Sequence, residues 1–172
     1  MSGSPRSLEA TCLPHLRAAY NLARWLTRDD HDAEDLVQEA FLRAVKYFDG
    51  APENARAWIL KIVRNTFYTS RERTRADDGA APFDEAVHGV SMLEPGASLH
   101  READRALVHE ALLELGAEFR EAIVLRELEG LSYKEIGEVA GVPIGTVMSR
   151  LARARKALAA ALAKRMKKEP SP

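Results

Sequence analysis

Residues 131–156, LSYKEIGEVAGVPIGTVMSRLARARK, read as a helix, a sharp turn and a second helix loaded with arginine. Ser132 is followed three residues on by Glu135, the pattern in which a serine hydroxyl and a glutamate carboxylate satisfy the first unpaired N–H groups of a helix. Ile136, Val139 and Ala140 supply its apolar stripe. Gly141 can adopt the left-handed conformation that ends a helix, and Val142-Pro143 cannot simply continue it. Pro143 suits the first turn of the next helix, where its missing N–H costs nothing.

The second helix has two faces. At about 100° per residue, Val147, Leu151, Ala154 and Leu158 fall on one side. Gly145, Ser149, Ala152, Arg153 and Lys156 fall on the other, with Thr146 and Arg150 along one edge and Met148 and Arg155 along the other. An apolar back and a front of small and cationic residues is what a helix-turn-helix presents to a DNA groove. Small residues near the start let the helix approach base edges, and arginines can bond guanine or phosphate. One basic amphipathic helix alone fits a solvated surface better. The succession of capping box, glycine turn, proline start and basic front reverses that preference.

The chain has 172 residues, 46% of them hydrophobic and 30% charged, enough for one or two small domains with a buried core. Long stretches rich in Ala, Leu, Glu and Arg, with no run of alternating β-branched residues, predict an all-α fold. The formal charge of −1 hides an asymmetry. Residues 143–168 hold eight Lys or Arg and no Asp or Glu, so the remainder carries −9. The lone cysteine, Cys12, excludes an internal disulfide and reads as a small core residue. His15, His31, His88, His100 and His109 have no metal-ligand spacing, so no metal or cofactor is expected. No signal peptide or bilayer-length apolar run is evident, which predicts a cytoplasmic protein with no membrane insertion.

Working outward, residues 1–7 read as a lead, and a helix is expected over 8–26 with Leu13, Leu16, Tyr20, Ala23 and Trp25 among its apolar positions. The next helix, over 32–48, gathers Ala33, Leu36, Val37, Ala40, Phe41, Ala44 and Phe48 on a core face. Opposite lie Asp35, Gln38, Glu39, Leu42 and Lys46. Acidic residues in a first turn suit the helix dipole, and an isolated exposed leucine needs no explanation. A docking surface for a basic helix would look the same, and on pattern alone the two readings balance.

A third helix, over 53–75, has Ala55, Trp58, Ile59, Ile62, Val63, Thr66 and Ser70 inward. Its other face carries Lys61, Arg64, Tyr68, Arg71 and Arg75, with Asn65 at the edge. Cations that track phosphates beside a ring that stacks on an unpaired base suit single-stranded nucleic acid. A solvated basic face with an incidental tyrosine is nearly as good a reading. Residues 76–98 lack periodicity and hold five acidic residues with no Lys or Arg, as a linker would. Helices near 102–115 (Leu107, Ala111, Leu112 and Leu115 inward) and 118–129 precede the opening stretch, and residues 164–168 form a basic end. No nucleophile–base pair or phosphate-binding loop is present, so no enzyme is expected.

The sequence resembles the bacterial extracytoplasmic-function sigma factors over nearly its whole length. DAEDLVQEAFLRA (residues 32–44) is similar to the region 2 helix that docks on the clamp helices of RNA polymerase. RAWILKIVRNTF (residues 56–67) is similar to the promoter-melting segment, with Trp58 and the Arg64-Asn65 pair in place. Residues 125–158 are similar to region 4, and GTVxSRLxRAR at 145–155 is the most specific motif.

The resemblance implies two small helical domains joined by a flexible acidic linker. Region 2 would occupy residues 1–75, the linker 76–99 and region 4 residues 100–168, with 169–172 as a tail. It implies polymerase contacts through Asp35, Gln38, Glu39 and Leu42, which favours docking for that stripe. It implies −10 contacts through Phe48, Asp49, Asn54, Lys61, Arg64, Asn65, Tyr68 and Arg71, with the 48–54 loop holding a flipped base. It implies −35 contacts through Thr146, Met148, Ser149, Arg150, Ala152, Arg153, Arg155 and Lys156, with Ser149 and Arg153 reading bases and Arg150 and Arg155 on phosphates. The linker would lie in the polymerase's basic cleft. Expected partners are core RNA polymerase (clamp helices and flap), promoter DNA and an anti-sigma factor. Met148 and Ala152 depart from the commoner Lys or Arg and larger side chain, and Thr69 from a frequent Asp. The alternative is a helix-turn-helix regulator that works without polymerase.

Overall fold

A computed structural model of the chain describes residues 7–79 and 99–168. The expected lead before residue 7, the central part of the expected linker (80–98) and the tail (169–172) lie outside the described residues. Every described element is helical.

The first expected helix is broken in two. α1 (Leu8–Cys12) starts at Ser7, whose Oγ accepts from the Ala10 N–H at 3.2 Å. A 3-10 turn over Leu13–His15 follows, and only then does α2 (Leu16–Thr27) begin. Pro14 lacks the N–H that would continue α1, so the chain tightens there and its apolar register turns. As a result Leu13 and Leu16 point outward, 61% and 42% exposed, against the expectation that they pack inward. Ala19, Leu22, Ala23, Trp25 and Leu26 form the buried face. α2 ends on Arg28, held in the left-handed region at φ 64° with its N–H on the Arg24 carbonyl.

α3 (Asp30–Tyr47) begins at Asp29, whose carboxylate accepts from the Asp32 N–H at 2.9 Å. α4 (Ala55–Asp77) begins at Asn54, whose side-chain oxygen accepts from the Ala57 N–H at 3.0 Å. Each cap removes an orphan donor, worth about 1 kcal/mol. α2, α3 and α4 pack on one another through Leu22, Leu26, Ala33, Ala40, Ile59, Leu60 and Val63, all essentially inaccessible to solvent.

The C-terminal half contains α5 (Leu99–Glu114), α6 (Ala117–Ile123), α7 (Tyr133–Ala140) and α8 (Ile144–Met166). α6 runs into a π turn over Val124–Leu128. Six consecutive residues, Arg120 to Leu125, are buried, because α6 is covered by α8 on one side and α2 on the other. Arg120 is the largest of these. Its Nε donates to the Trp25 carbonyl of α2 at 2.6 Å and its Nη1 to the Leu115 carbonyl at 2.7 Å. The guanidinium therefore ties the C-terminal helices to the N-terminal ones inside a core that runs continuously through both.

Around α7 the local signals act as read. The Ser132 hydroxyl accepts from the Glu135 N–H, and the Glu135 carboxylate accepts from the Ser132 N–H at 2.7 Å. Gly141 is left-handed at φ 67°. Pro143 stands immediately before α8 at its N-cap, one position earlier than its expected place in the first turn. Gly137 matters for a reason the pattern did not reveal. A Cβ there would sit 2.8 Å from the Val142 carbonyl, so only glycine lets the turn fold back so closely on α7.

Candidate nucleic-acid interface

The α8 face is open. Val147, Leu151 and Ala154 are buried on its back. Gly145, Met148, Ser149, Ala152, Arg153 and Lys156 are exposed on its front, while Thr146 is half-buried. Small side chains at the N-terminal end and cations further along leave the helix able to enter a groove. The two arginines assigned to phosphate have partners within the fold. Arg150 is only 17% exposed and lies 3.7 Å from Glu118, and Arg155 donates to Glu127 at 2.9 Å. Arg153 and Lys156 are thus the cations most directly presented to solvent on this face.

The α3 stripe is also open. Asp35, Gln38 and Leu42 are exposed, and Glu39 is half-buried and accepts from Arg43 at 2.7 Å. Leu42 is 71% exposed and has company that the sequence did not single out, Val45 and Tyr47, both more than half exposed. Three large apolar side chains beside carboxylates make a surface with both greasy and acidic contacts to offer a partner.

The α4 face is different, because the C-terminal half covers much of it. Arg64 Nε donates to Glu121 Oε1 at 2.6 Å, and the Tyr68 hydroxyl donates to Glu121 Oε2 at 2.9 Å. The Arg64 guanidinium lies 4.5 Å over the Tyr68 ring. One carboxylate of α6 thereby occupies both groups that the sequence offered to nucleic acid. Burial pushes the Glu121 carboxyl above its ordinary value, and the Arg64 guanidinium pulls it back. Burial, reinforced by the Glu121 charge, pushes the Tyr68 hydroxyl well above its ordinary value, so it stays protonated and donates.

Two more carboxylates extend the cover. Asn54 donates to Glu135 at 2.9 Å. Arg56 donates to the Glu129 carboxylate at 2.9 Å and also to the Glu129 carbonyl, and Asn21 donates to the same carboxylate. The remaining members of this face differ in exposure. Asp49, Lys61 and Asn65 are exposed, Phe48 packs edge-on to Trp58, and Arg71 lies half-buried over the Phe67 ring. Arg64 and Tyr68 are brought together as expected. Glu121, Glu129 and Glu135 are the residues that sequence reasoning missed. A signal did exist: Arg120 and Glu121 sit one helical turn from Ala117 and Val124, on a face that should otherwise be apolar.

Cys12 is buried, and burial pushes its thiol above the ordinary value, which disfavours the reactive thiolate. Among the described residues no group of His, Cys, Asp and Glu is arranged to hold a metal ion, and no helix is long and apolar enough to cross a membrane.

Comparison with known proteins places these faces in context. Residues 13–76 match Sigma-70 region 2, and residues 105–158 match Sigma-70 region 4. The chain is 39% identical over 152 residues to the ECF RNA polymerase sigma factor SigE of Mycolicibacterium smegmatis, covering 87% of this chain and 59% of that protein. It is 32% identical over 170 residues to the RNA polymerase sigma-H factor of Pseudomonas aeruginosa, covering 93% and 88%. Its fold is similar to that of the sigma factor RpoE from Bartonella quintana, solved in complex with the anti-sigma factor NepR. The TM-score is 0.74 at 32% identity, over 88% of this chain and 93% of that one.

Proposed function

Because the chain belongs to the bacterial extracytoplasmic-function sigma factors, we propose that it recognises promoters through three surfaces, each with a separate task. The exposed α3 stripe (Asp35, Gln38, Glu39, Leu42) docks on core RNA polymerase, with Val45 and Tyr47 extending its apolar part. The α4 face and the loop before it (Phe48, Asp49, Asn54, Lys61, Arg64, Asn65, Tyr68, Arg71) engage the −10 element as its strands separate. The α8 front reads the −35 duplex, with Ser149 and Arg153 as base readers. Thr146, Met148, Arg150, Ala152, Arg155 and Lys156 flank them and contact the backbone or set promoter preference.

Residues 1–75 act as the region 2 unit and 100–168 as the region 4 unit. The chain performs no chemistry of its own and works in the cytoplasm. An anti-sigma factor is a further partner, in keeping with the complex in which the RpoE relative was solved. Phosphate contacts supply much of the DNA affinity, so binding falls steeply with salt.

The observation that carries this reading is the α3 stripe: Leu42, Val45 and Tyr47, each more than half exposed beside carboxylates, fit a docking face. A helix-turn-helix regulator working alone would need neither this stripe nor a region 2. Affinity capture with core polymerase tests it. The chain should co-elute with core enzyme and Asp35→Arg should abolish co-elution while duplex binding persists. Equal capture of the Asp35→Arg variant would remove the docking role.

A further inference from the structure

α8 carries a second kind of surface beside its polar front. Ile144 and Met148 are 48% and 54% exposed, and Ala152 is exposed one turn further on. At about 100° per residue the three fall within about 80° of arc, and about 6 Å of helix separates each from the next. The core does not need them, because Val147, Leu151 and Ala154 already fill the back of α8. Arg155, the cation on the same edge, donates to Glu127 at 2.9 Å. This edge is therefore an apolar ridge, and it runs beside a front on which Ser149, Arg153 and Lys156 are exposed.

Such a ridge suits one feature of a duplex. The major groove presents hydrogen-bonding groups at every base pair, and thymine alone adds an apolar group, its C5 methyl. Met148 has a long, flexible thioether side chain with no strong donor or acceptor. Against a phosphate it would neutralise no charge. Against the amino group of cytosine it would displace water from a donor and return no hydrogen bond, which is a cost. Against a thymine methyl, apolar surface is buried on both sides. Ala152, one turn on, is too short to compete for the same space.

We propose that Met148 reads a thymine methyl in the −35 duplex, with Ala152 leaving the space in which it lies along the base edges and Ile144 extending the ridge toward the helix start. This rests on the reading of α8 as the −35 reader and gives that helix two modes of selection. Ser149 and Arg153 select through hydrogen bonds, and Met148 selects through apolar contact. The element this chain prefers therefore holds an A·T pair at one fixed position, recognised through a single methyl group. The same contact favours 5-methylcytosine over cytosine at that position.

The test uses the full chain assembled with core polymerase, which selects duplex promoters from a pool randomised across the −35 and −10 regions. Selected promoters should share a thymine at one −35 position. Replacing each −35 thymine in turn by deoxyuridine removes only the methyl. At the shared position affinity by gel shift should fall about fourfold, the worth of one buried methyl group. Placing 5-methylcytosine there should give about fourfold tighter binding than cytosine. In Met148→Ala the deoxyuridine effect should shrink below about 1.5-fold, since the two changes remove the same contact. Met166→Ala, which removes an exposed methionine at the far end of α8, should leave the fourfold effect in place.

If circular dichroism shows Met148→Ala unfolded, Met148→Gln, which keeps the side-chain length, takes its place with the same loss of methyl dependence expected. A parent for which no −35 thymine methyl matters, a deoxyuridine effect that persists in the Met148 variant, or one that vanishes in Met166→Ala overturns the proposal. Promoters selected with Arg153→Ala separate this failure from that of the underlying reading. If Arg153→Ala shifts the −35 preference while no thymine methyl matters to the parent, the methyl contact fails and α8 remains the −35 reader. If neither Arg153→Ala nor Met148→Ala alters the −35 preference, α8 itself is misassigned.

Discussion

α4 and α8 carry similar sequences of cations, small polar residues and apolar backs, yet the fold treats them oppositely. Both run 23 residues. Both bury a stripe of Val, Leu and Ala or Ile and turn arginines away from it. On α8, Ser149, Arg153 and Lys156 meet solvent. On α4, Arg64 and Tyr68 meet a carboxylate from another part of the chain. Helical periodicity determines which side chains share a face. Whether that face is free depends on what packs over it, and the covering residues come from more than 50 positions further along the chain.

The largest expected effect breaks the closure from inside. Arg120→Met leaves the Trp25 and Leu115 carbonyls without their donor, and an orphaned buried polar group costs about 1–3 kcal/mol. A loss of about 3 kcal/mol should appear in urea unfolding. A loss under about 1 kcal/mol would mean that α6 is not anchored through this side chain.

Gly137→Ala sharpens the other side of the comparison, because it strains the turn that presents α8. With the new methyl 2.8 Å from a backbone carbonyl that cannot swing aside, overpacking should cost about 1–3 kcal/mol. Thermal denaturation followed by circular dichroism measures it, and an unchanged midpoint would show that the turn has slack.

Arg153→Ala probes the open face directly. Loss of a bidentate base contact should weaken binding to duplex −35 DNA by about 1–3 kcal/mol, with discrimination relaxed at one position. A uniform weakening across sequences would reassign Arg153 to phosphate.

The smallest effect concerns the closed side. The His109 ring packs tilted against Trp25 with centroids 5.0 Å apart, and burial holds its pKa below the ordinary 6.5, with Arg24 adding to the shift and Glu110 opposing it. The neutral ring is the form the fold favours. Its contribution is intact above 6.5 and is lost as the pH falls through the lowered folded value. Denaturation midpoints measured either side of that window should drop on the acid side, and His109→Gln should flatten the drop. An unchanged profile in the variant would place the titration elsewhere.

Much of this was legible in the residues. The helix-turn-helix could be read because its signals are local: Ser132 and Glu135 cap each other, and Gly141 takes the left-handed turn only a few residues on. The α3 and α4 stripes followed from period, although the caps at Asp29 and Asn54 start those helices at Asp30 and Ala55 rather than at the expected 32 and 53. Two kinds of feature escaped. Pro14 tightens the backbone into a 3-10 turn, which rotated Leu13 and Leu16 out of the core although their spacing looked helical. Glu121, Glu129 and Glu135 reach partners 57, 73 and 81 positions away, and no local pattern specifies such pairings. Arg120 belongs to the second kind, a cation on an apolar face whose acceptor lies 95 residues earlier.

Run-off transcription with core RNA polymerase over a randomised promoter library tests the assignment of function most directly. Promoters selected by this chain should share a −35 and a −10 element at fixed spacing, with Arg153→Ala changing only the −35 preference and Tyr68→Ala lowering open-complex formation on the same promoters. Transcripts that do not depend on adding the chain, or selected promoters with no shared −10 element, would contradict it.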